Sequence, residues 1–305
     1  NIQIWHLIAL ALVNGSARAA QMPAAGSLVP NLVPRHLLLN AIALNQLAVH
    51  GSRLLGPAAI APMMGTIGVE AAFFLCSGFY VVSFVQTLRI KTASTGKMDV
   101  RLGVLGNLLE GIKYVYKTPV LFAVVMLAFL HCGLTMSFES LLPVLSRQEL
   151  SAEGGGFSYL MMAVGAGAIV SVLGIASIRN EVTKSRLFVN LGVLSGVAPI
   201  LLGLSNNMVL ALLSTVAIGA TQAGFMTLTH TIIQSSTPDY IRGRVSGVYS
   251  MHIGGIMASA NLINGGLADL LNVSYLLIGG GVVFIFIMLI SWQIPGLQMT
   301  YKQGM

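Results

Sequence analysis

The chain has 305 residues, of which 55% are hydrophobic and 8% are charged, and its net charge is +7. A mean hydropathy of +0.84 lies well outside the range of soluble globular domains, which excludes a soluble enzyme or binding domain. The positive charge does not indicate nucleic-acid binding, because the basic residues flank apolar segments rather than form one patch, and no nucleic-acid partner is expected.

Charge is confined to short breaks between long apolar segments. Phe157–Ile178 contains no charged residue, and the segment 187–267 contains only Asp239, Arg242 and Arg244. About 20 uncharged residues allow a helix to cross the hydrocarbon core of a bilayer. These segments also lack the polar stripe of a helix in a soluble protein. The sequence therefore predicts an all-α integral membrane protein.

Nine spans are predicted in chain order, separated by eight breaks. They are Ile4–Pro30, Leu38–Gly65, Ala71–Leu88, Thr118–Phe138, Gly155–Ile178, Leu187–Leu204, Met208–Ile233, Val245–Leu267 and Val273–Ile294. We expect residues 1–88 to be the last part of a first transmembrane half, 89–117 a linker, 118–295 a six-helix second half, and 296–305 a tail.

Basic residues concentrate in the odd-numbered breaks and the tail. These hold 13 of the 16 basic residues, namely Arg35, Arg89, Lys91, Lys97, Arg101, Lys113, Lys117, Arg179, Lys184, Arg186, Arg242, Arg244 and Lys302. The even-numbered breaks hold mainly acidic residues, namely Glu70, Glu149, Glu153 and Asp269. The positive-inside rule therefore places the odd breaks and the C-terminus in the cytoplasm.

The linker 89–117 has a helical periodicity of its own. Its apolar residues recur between cations at Val100, Val104, Leu105, Leu108, Leu109, Ile112 and Val115. This spacing predicts an amphipathic helix that lies on the cytoplasmic membrane surface and joins the two halves.

A weak internal repeat relates the two halves. When the chain is shifted by 204 residues, Gly15, Ala19, Met22, Pro34 and Gly51 fall on Gly219, Ala223, Met226, Pro238 and Gly255. Parallel repeats of this kind are typical of transporters built from two halves. Since the second half has six predicted spans and the first has three, we expect three further helices, about 86 residues, before Asn1. The alternative is that Ile4–Ala20 is a signal peptide, although it lacks a basic n-region.

Several motifs carry a resemblance to a known family. They are Leu32-Val33-Pro34-Arg35, Arg53-Leu54-Leu55-Gly56-Pro57, Glu110-Gly111-Ile112-Lys113-Tyr114-Val115, Thr237-Pro238-Asp239 and Arg242-Gly243-Arg244-Val245. The chain resembles the major facilitator superfamily, and within it the bacterial drug and siderophore exporters known as transmembrane secretion effectors.

The resemblance implies a major facilitator fold with about nine of its twelve helices present. It also implies a monomeric secondary transporter in the bacterial inner membrane, which exports a small molecule by alternating access driven by protons. Lipid or lysophospholipid transport and a non-transporting receptor or scaffold are the alternatives. An enzyme is not expected, because HExxH, GxSxG and paired intramembrane carboxylates are not found in the sequence. No cofactor or metal is expected either.

Polar residues inside the spans are candidates for a substrate pathway, because burying them in a bilayer is costly. Arg18 lies 12 residues before Pro30, about 18 Å along a helix, and Gln21 is one turn away. Gln222 is the repeat partner of Arg18, and the resemblance implies that both helices border a central cavity. Arg18 would attract an anionic substrate, or else form a structural ion pair. Asn45 belongs to the same set of intramembrane polar residues.

Arg53 lies just before Gly56 and Pro57, and Pro57 removes a backbone donor from the helix. This arrangement predicts either a hinge whose arginine changes partner between states or a fixed kink.

Glu139 and His230 are candidates for proton coupling. Glu139 is expected near the outer surface, where an interfacial carboxylate without a coupling role is the alternative. His230 would relay protons or simply pack in the bundle.

Asp239, Arg242 and Arg244 form a charged cluster in a cytoplasmic break. The resemblance implies that such clusters latch the two halves together, and the alternative is a purely topological role for the positive charge.

Overall fold

The computed structural model describes residues 67–91, 103–148, 150, 156–178, 180–291 and 293, together with scattered positions between 3 and 60. Nine α-helices are named here in chain order. They are α1 (Val69–Leu88), α2 (Gly103–Lys117), α3 (Pro119–Leu134), α4 (Leu142–Gln148), α5 (Gly156–Ala176), α6 (Glu181–Gly203), α7 (Met208–Ser235), α8 (Arg242–Ala268) and α9 (Val273–Ser291). A 3-10 helix, Met136–Ser140, joins α3 to α4. No strand occurs in the described part of the chain.

Six described segments are long and apolar enough to cross a membrane. They are Glu70–Leu88, Pro119–Arg147, Gly156–Ala176, Val182–Gly203, Met208–Ser235 and Val273–Ser291. Each overlaps one of the predicted spans. The first two predicted spans, Ile4–Pro30 and Leu38–Gly65, lie largely outside the described residues.

Helix α8 covers the remaining predicted span, Val245–Leu267, but is less apolar than the other six. Its 27 residues are long enough to cross a bilayer. Its apolar residues are interrupted by glycine, serine and asparagine, which lowers its hydropathy. It packs against α2, α3 and the 3-10 helix, so its role as a span stays a prediction based on length and position.

Glycines allow the central helices to approach one another at backbone distance. A Cβ added at Gly219 of α7 would overlap the Val164 carbonyl of α5, and one at Gly167 of α5 would overlap the Val216 carbonyl of α7. These two reciprocal contacts fix the distance between α5 and α7 where the helices cross. Small residues serve this purpose in membrane bundles, where helix association depends on close van der Waals packing.

Local capping explains where several helices begin. The side chain of Asn180 accepts a hydrogen bond from the Thr183 amide, 3.1 Å away, at the start of α6. At the start of α7, the Asn207 side chain accepts from the Leu210 amide over 2.9 Å. Pro119 occupies the first turn of α3, where its missing amide proton costs nothing.

Two apolar cores are stacked along the bundle of the second half. One includes Val124, Phe188, Phe225 and Phe284. The other includes Phe138, Leu160, Leu202 and Leu277. On α6 and α7 a buried polar residue separates the two cores, and a third buried polar residue lies where α3 passes into the 3-10 helix. These residues are Thr135, which follows α3, Ser195 and Gln222, with exposed fractions of 1%, 0% and 3%, and we call them the polar level.

Candidate functional site

The polar level is held together by a hydrogen bond between α7 and the end of α3. Gln222 lies near the middle of α7, 14 residues after Met208, about 21 Å along the helix axis. Its Nε2 donates to the Thr135 carbonyl oxygen over 3.0 Å. That carbonyl lies just beyond the last residue of α3, and carbonyls at a helix end lack intrahelical partners. The break in the helix therefore provides the acceptor.

The 3-10 helix that follows carries a second polar contact. Asn264 of α8 donates from Nδ2 to the Ser137 hydroxyl oxygen, 2.9 Å away. Asn261 lies three residues earlier on α8, and its buried Oδ1 has no hydrogen-bond partner among the described residues. An interrupted transmembrane helix with polar groups converging on the interruption is the arrangement that secondary transporters use for substrate and ion sites.

Glu139 lies on this interruption, and its place near the outer surface stays a prediction. The span Pro119–Arg147 is 29 residues long and runs nine residues past Phe138, where the predicted span ends. The predicted boundary at Phe138 falls within the 3-10 helix, through which the chain continues into α4. The side chain of Glu139 is half-buried.

His131 lies one turn before Thr135 and is enclosed by aromatic rings. The ring centroids of Phe225 and Phe284 are 4.7 and 5.0 Å from that of His131, and the side chain is 0% exposed. Neither ring nitrogen has a hydrogen-bond partner within the described ranges. A buried polar atom without a partner costs stability, so packing against rings is the role that the contacts support.

Replacing His131 by leucine is therefore expected to stabilise the protein by about 1 kcal/mol, because the unbonded polar atoms are removed. The measurement is the midpoint of thermal unfolding in detergent. His252→Leu is the matched control, since the His252 ring contacts the Val248 carbonyl at 2.8 Å and the Tyr116 hydroxyl at 3.3 Å, and it should lower the midpoint. A lower midpoint for His131→Leu would show that the ring makes bonds in the membrane.

His230 lies away from the polar level, eight residues beyond Gln222 or about 12 Å along α7. It packs edge-on against Tyr249 of α8, with ring centroids 4.8 Å apart and an interplanar angle of 79°. One turn further, Gln234 donates to the Ser246 hydroxyl over 3.2 Å. The structure therefore places His230 in a ring contact between α7 and α8, one turn from a polar contact between the same helices.

The charged cluster at the start of α8 forms two ion pairs. Arg242 pairs with Asp239 at 2.6 Å within the same turn. Arg244 pairs with Glu110 of α2 at 2.6 Å, across 134 residues of sequence. Directly beside this pair, a Cβ at Gly111 would lie 3.0 Å from the Arg244 carbonyl oxygen. Helix α2 is thus attached to the base of α8 by charge and by close packing.

The predicted residues of the first half are only partly described. Gln21 and Asn45 lie in helical segments and are exposed, and Gly56 is half-buried. Arg18, Arg53 and Pro57 lie outside the described residues. The backbone of Leu54, near Gly56, comes so close to α5 that a Cβ at Gly165 would lie 2.7 Å from its amide nitrogen.

Sequence analysis missed Thr135, Asn264 and Glu110 as members of these contacts. Thr135 contributes a backbone carbonyl, for which its side chain provides no signal. The pair Asn261 and Asn264, three residues apart in an uncharged span, was a usable signal, because polar side chains with that spacing share one helix face. Glu110 lies in a motif of the linker, and its local sequence gives no sign of a partner on α8.

Comparison with known proteins identifies related families and relatives. The sequence profile of the family described as transmembrane secretion effector matches residues 1–302. The multidrug efflux pump Tap of Mycolicibacterium fortuitum is 24% identical over 201 residues, which are 64% of this chain and 48% of that protein. The uncharacterized MFS-type transporter YvqJ of Bacillus subtilis strain 168 is 23% identical over 256 residues, 81% of this chain and 60% of that protein. The chain therefore spans 48% and 60% of these two relatives.

The apolar helices and their family match define a multi-pass, all-α integral membrane protein. The chain belongs to the transmembrane secretion effector family of the major facilitator superfamily. This confirms the predicted family and fold class.

Proposed function

We propose that the chain is part of a secondary transporter that exports a small molecule, of drug-like or siderophore-like chemistry, across the bacterial inner membrane by alternating access. The observation that carries the proposal is the broken helix, where Gln222 of the polar level bonds Thr135 and, on the adjoining 3-10 helix, Asn264 bonds Ser137. A purely anchoring bundle would gain nothing from polar groups at this depth. The relative Tap, whose name describes a multidrug efflux pump, supports the substrate class.

Glu139 is the residue proposed to couple export to the proton gradient. Its carboxylate sits on the 3-10 helix, within the apolar segment Pro119–Arg147 and two residues from Ser137, which accepts the hydrogen bond from Asn264. A proton taken up there would change the charge next to the proposed pathway without a large movement of the chain. His230 is a secondary candidate, because its contact with Tyr249 lies about 12 Å away along α7.

The ion pair between Arg244 and Glu110 is the proposed latch. It connects the linker helix α2 to the base of α8, so a tilt of the second half would pull on the linker. Arg242 and Asp239 pair within their own turn and would stiffen the start of α8. The positive charge of this break, with that of the linker, supports the proposed cytoplasmic orientation.

Efflux from loaded cells tests the transport proposal. Cells that express the protein as its gene encodes it are loaded with a panel of fluorescent drugs or with a catecholate siderophore, and the initial rate of loss is compared with vector-only cells. Faster loss of at least one compound is expected. Equal rates for every compound would overturn the proposed export.

The variant Gln222→Leu tests the site separately. Loss of one buried hydrogen bond is expected to slow export about tenfold, equivalent to about 1.4 kcal/mol. Gln86→Leu is the matched control, because Gln86 is exposed on α1 and should keep the parent rate. If both variants export at the parent rate, the polar level is not the pathway even though transport stands.

Reversing one charge of the latch is expected to slow export, and reversing both charges is expected to restore it. Arg244→Glu or Glu110→Arg alone should slow export a few-fold, since a partly exposed pair contributes about 1 kcal/mol or less. The double variant should recover most of the rate, because the pair is re-formed with opposite sense. The measurement is the same efflux rate, corrected for the amount of protein in the membrane.

Arg186→Glu controls for orientation, because it removes the same positive charge from an exposed site on α6. If the double variant still exports slowly and Arg186→Glu exports equally slowly, Arg244 acts only through its positive charge, by the positive-inside rule.

A further inference from the structure

One face of α2 is exposed, and at its C-terminal end the Tyr116 hydroxyl lies 3.3 Å from Nε2 of His252 on α8. Leu105, Leu109 and Tyr116 are 68%, 55% and 50% exposed. At 100° per residue these three side chains fall within about 40° of one another around the helix. Lys113 and Lys117 are exposed as well and lie on one flank of this stripe. Apolar side chains flanked by lysine are typical of a helix at a membrane interface.

The opposite face of α2 is already occupied. Asn107, Gly111 and Val115 are buried, and Gly111 packs on the backbone and side chain of Arg244. Leu105 and Leu109 therefore cannot turn into the protein without breaking the contact with α8. Val115, one of the periodic apolar residues, lies on this occupied face and is 0% exposed in the apolar core.

The position of α2 relative to the bilayer follows from chain continuity. Thr118 alone separates α2 from α3, the start of the span Pro119–Arg147. The C-terminal end of α2, which carries Lys117 and Tyr116, must therefore lie at the level where the hydrocarbon core ends. Tyrosine and lysine are the residues enriched at this level, where a ring and a long stem bridge apolar and polar surroundings.

We propose that the outer face of α2 binds the membrane surface and recognises anionic phospholipid headgroups. Leu105, Leu109 and Tyr116 enter the interface, and the ammonium groups of Lys113 and Lys117 contact lipid phosphates. Because α2 is fixed to α8 through Glu110 and Gly111, this contact anchors the base of α8 to the leaflet. The anchor does not depend on whether the protein transports a solute, since it rests only on the membrane location of the chain.

Quenching by brominated lipid tests the proposal on the full chain. In a background with Trp5→Phe and Trp292→Phe, a single tryptophan is introduced as Leu109→Trp, and as Asn206→Trp in the exposed loop before α7 as a control. The protein is placed in nanodiscs of phosphatidylcholine, or of equimolar phosphatidylcholine and phosphatidylglycerol, with bromine near the headgroup end of the acyl chains. Strong quenching at position 109 and weak quenching at 206 are expected.

The two lysines supply the headgroup contact, and each is expected to strengthen attachment about fivefold on an anionic surface. Phosphatidylglycerol should therefore increase quenching at position 109, and Lys113→Gln with Lys117→Gln should remove that increase. Quenching at 109 no stronger than at 206 would overturn the membrane contact. Strong quenching that neither phosphatidylglycerol nor the lysine variants change would overturn headgroup recognition.

Discussion

Replacing Gly219 by leucine is expected to prevent α5 and α7 from packing, with a loss of at least about 3 kcal/mol of stability. Even the first carbon of the new side chain would overlap the Val164 carbonyl, which is backbone and cannot rotate away. The two helices would have to separate, and the reciprocal contact at Gly167 would then be lost as well. The measurement is the amount of monodisperse protein after extraction, followed over a temperature series.

Gly254→Leu provides a matched control for that experiment. Gly254 is also a glycine within a membrane helix, but a Cβ there meets nothing within 4 Å in the described structure. The control should therefore be extracted as well as the parent protein. Equal behaviour of the two variants would show that the α5–α7 crossing is looser than the structure indicates.

Glu139→Gln is expected to reduce concentrative export to the rate of vector-only cells. The amide keeps the size of the side chain but cannot exchange a proton, so the proposed coupling step is lost. A protonophore should slow the parent protein and should have no further effect on Glu139→Gln. The measurement is dye loss against a concentration gradient, with and without the protonophore.

Glu70→Gln is the control for this change, because Glu70 is an exposed carboxylate at the first turn of α1. It should export at the parent rate and stay sensitive to the protonophore. Parent-like, protonophore-sensitive export by Glu139→Gln would remove Glu139 from the coupling mechanism.

The transmembrane helices were the part of the fold that the sequence predicts, because hydropathy determines where they lie. Uncharged segments such as Phe157–Ile178 and the segment around Leu277 had to be helical, because a bilayer offers the backbone no other partners. The interruption at Met136–Ser140 was not predicted, and the predicted span ends within it, at Phe138. Its burial depends on neighbouring helices, which a local pattern of residues does not describe.

The contacts of the candidate site could be predicted from the sequence only in part. Gln222 was singled out through its repeat partner, but its acceptor is a backbone carbonyl 87 residues away in sequence. Arg244 was expected to act between halves, whereas its partner in the described structure is Glu110 of the linker. Such pairings arise from helix packing, and packing is set by small residues such as Gly111 rather than by the charges themselves.

Accessibility of a thiol at position 264, where α8 contacts the 3-10 helix beside the polar level, tests the central claim most directly. In a Cys76→Ser background, Asn264→Cys is treated with a hydrophilic, membrane-impermeant thiol reagent, and Val283→Cys, on an exposed apolar position of α9, serves as the control. If the broken helix lines an aqueous pathway, the thiol at position 264 reacts, an exported compound slows the reaction, and the lipid-facing thiol at 283 stays unmodified. A thiol at 264 that is as inert as the one at 283 would contradict a pathway through the polar level.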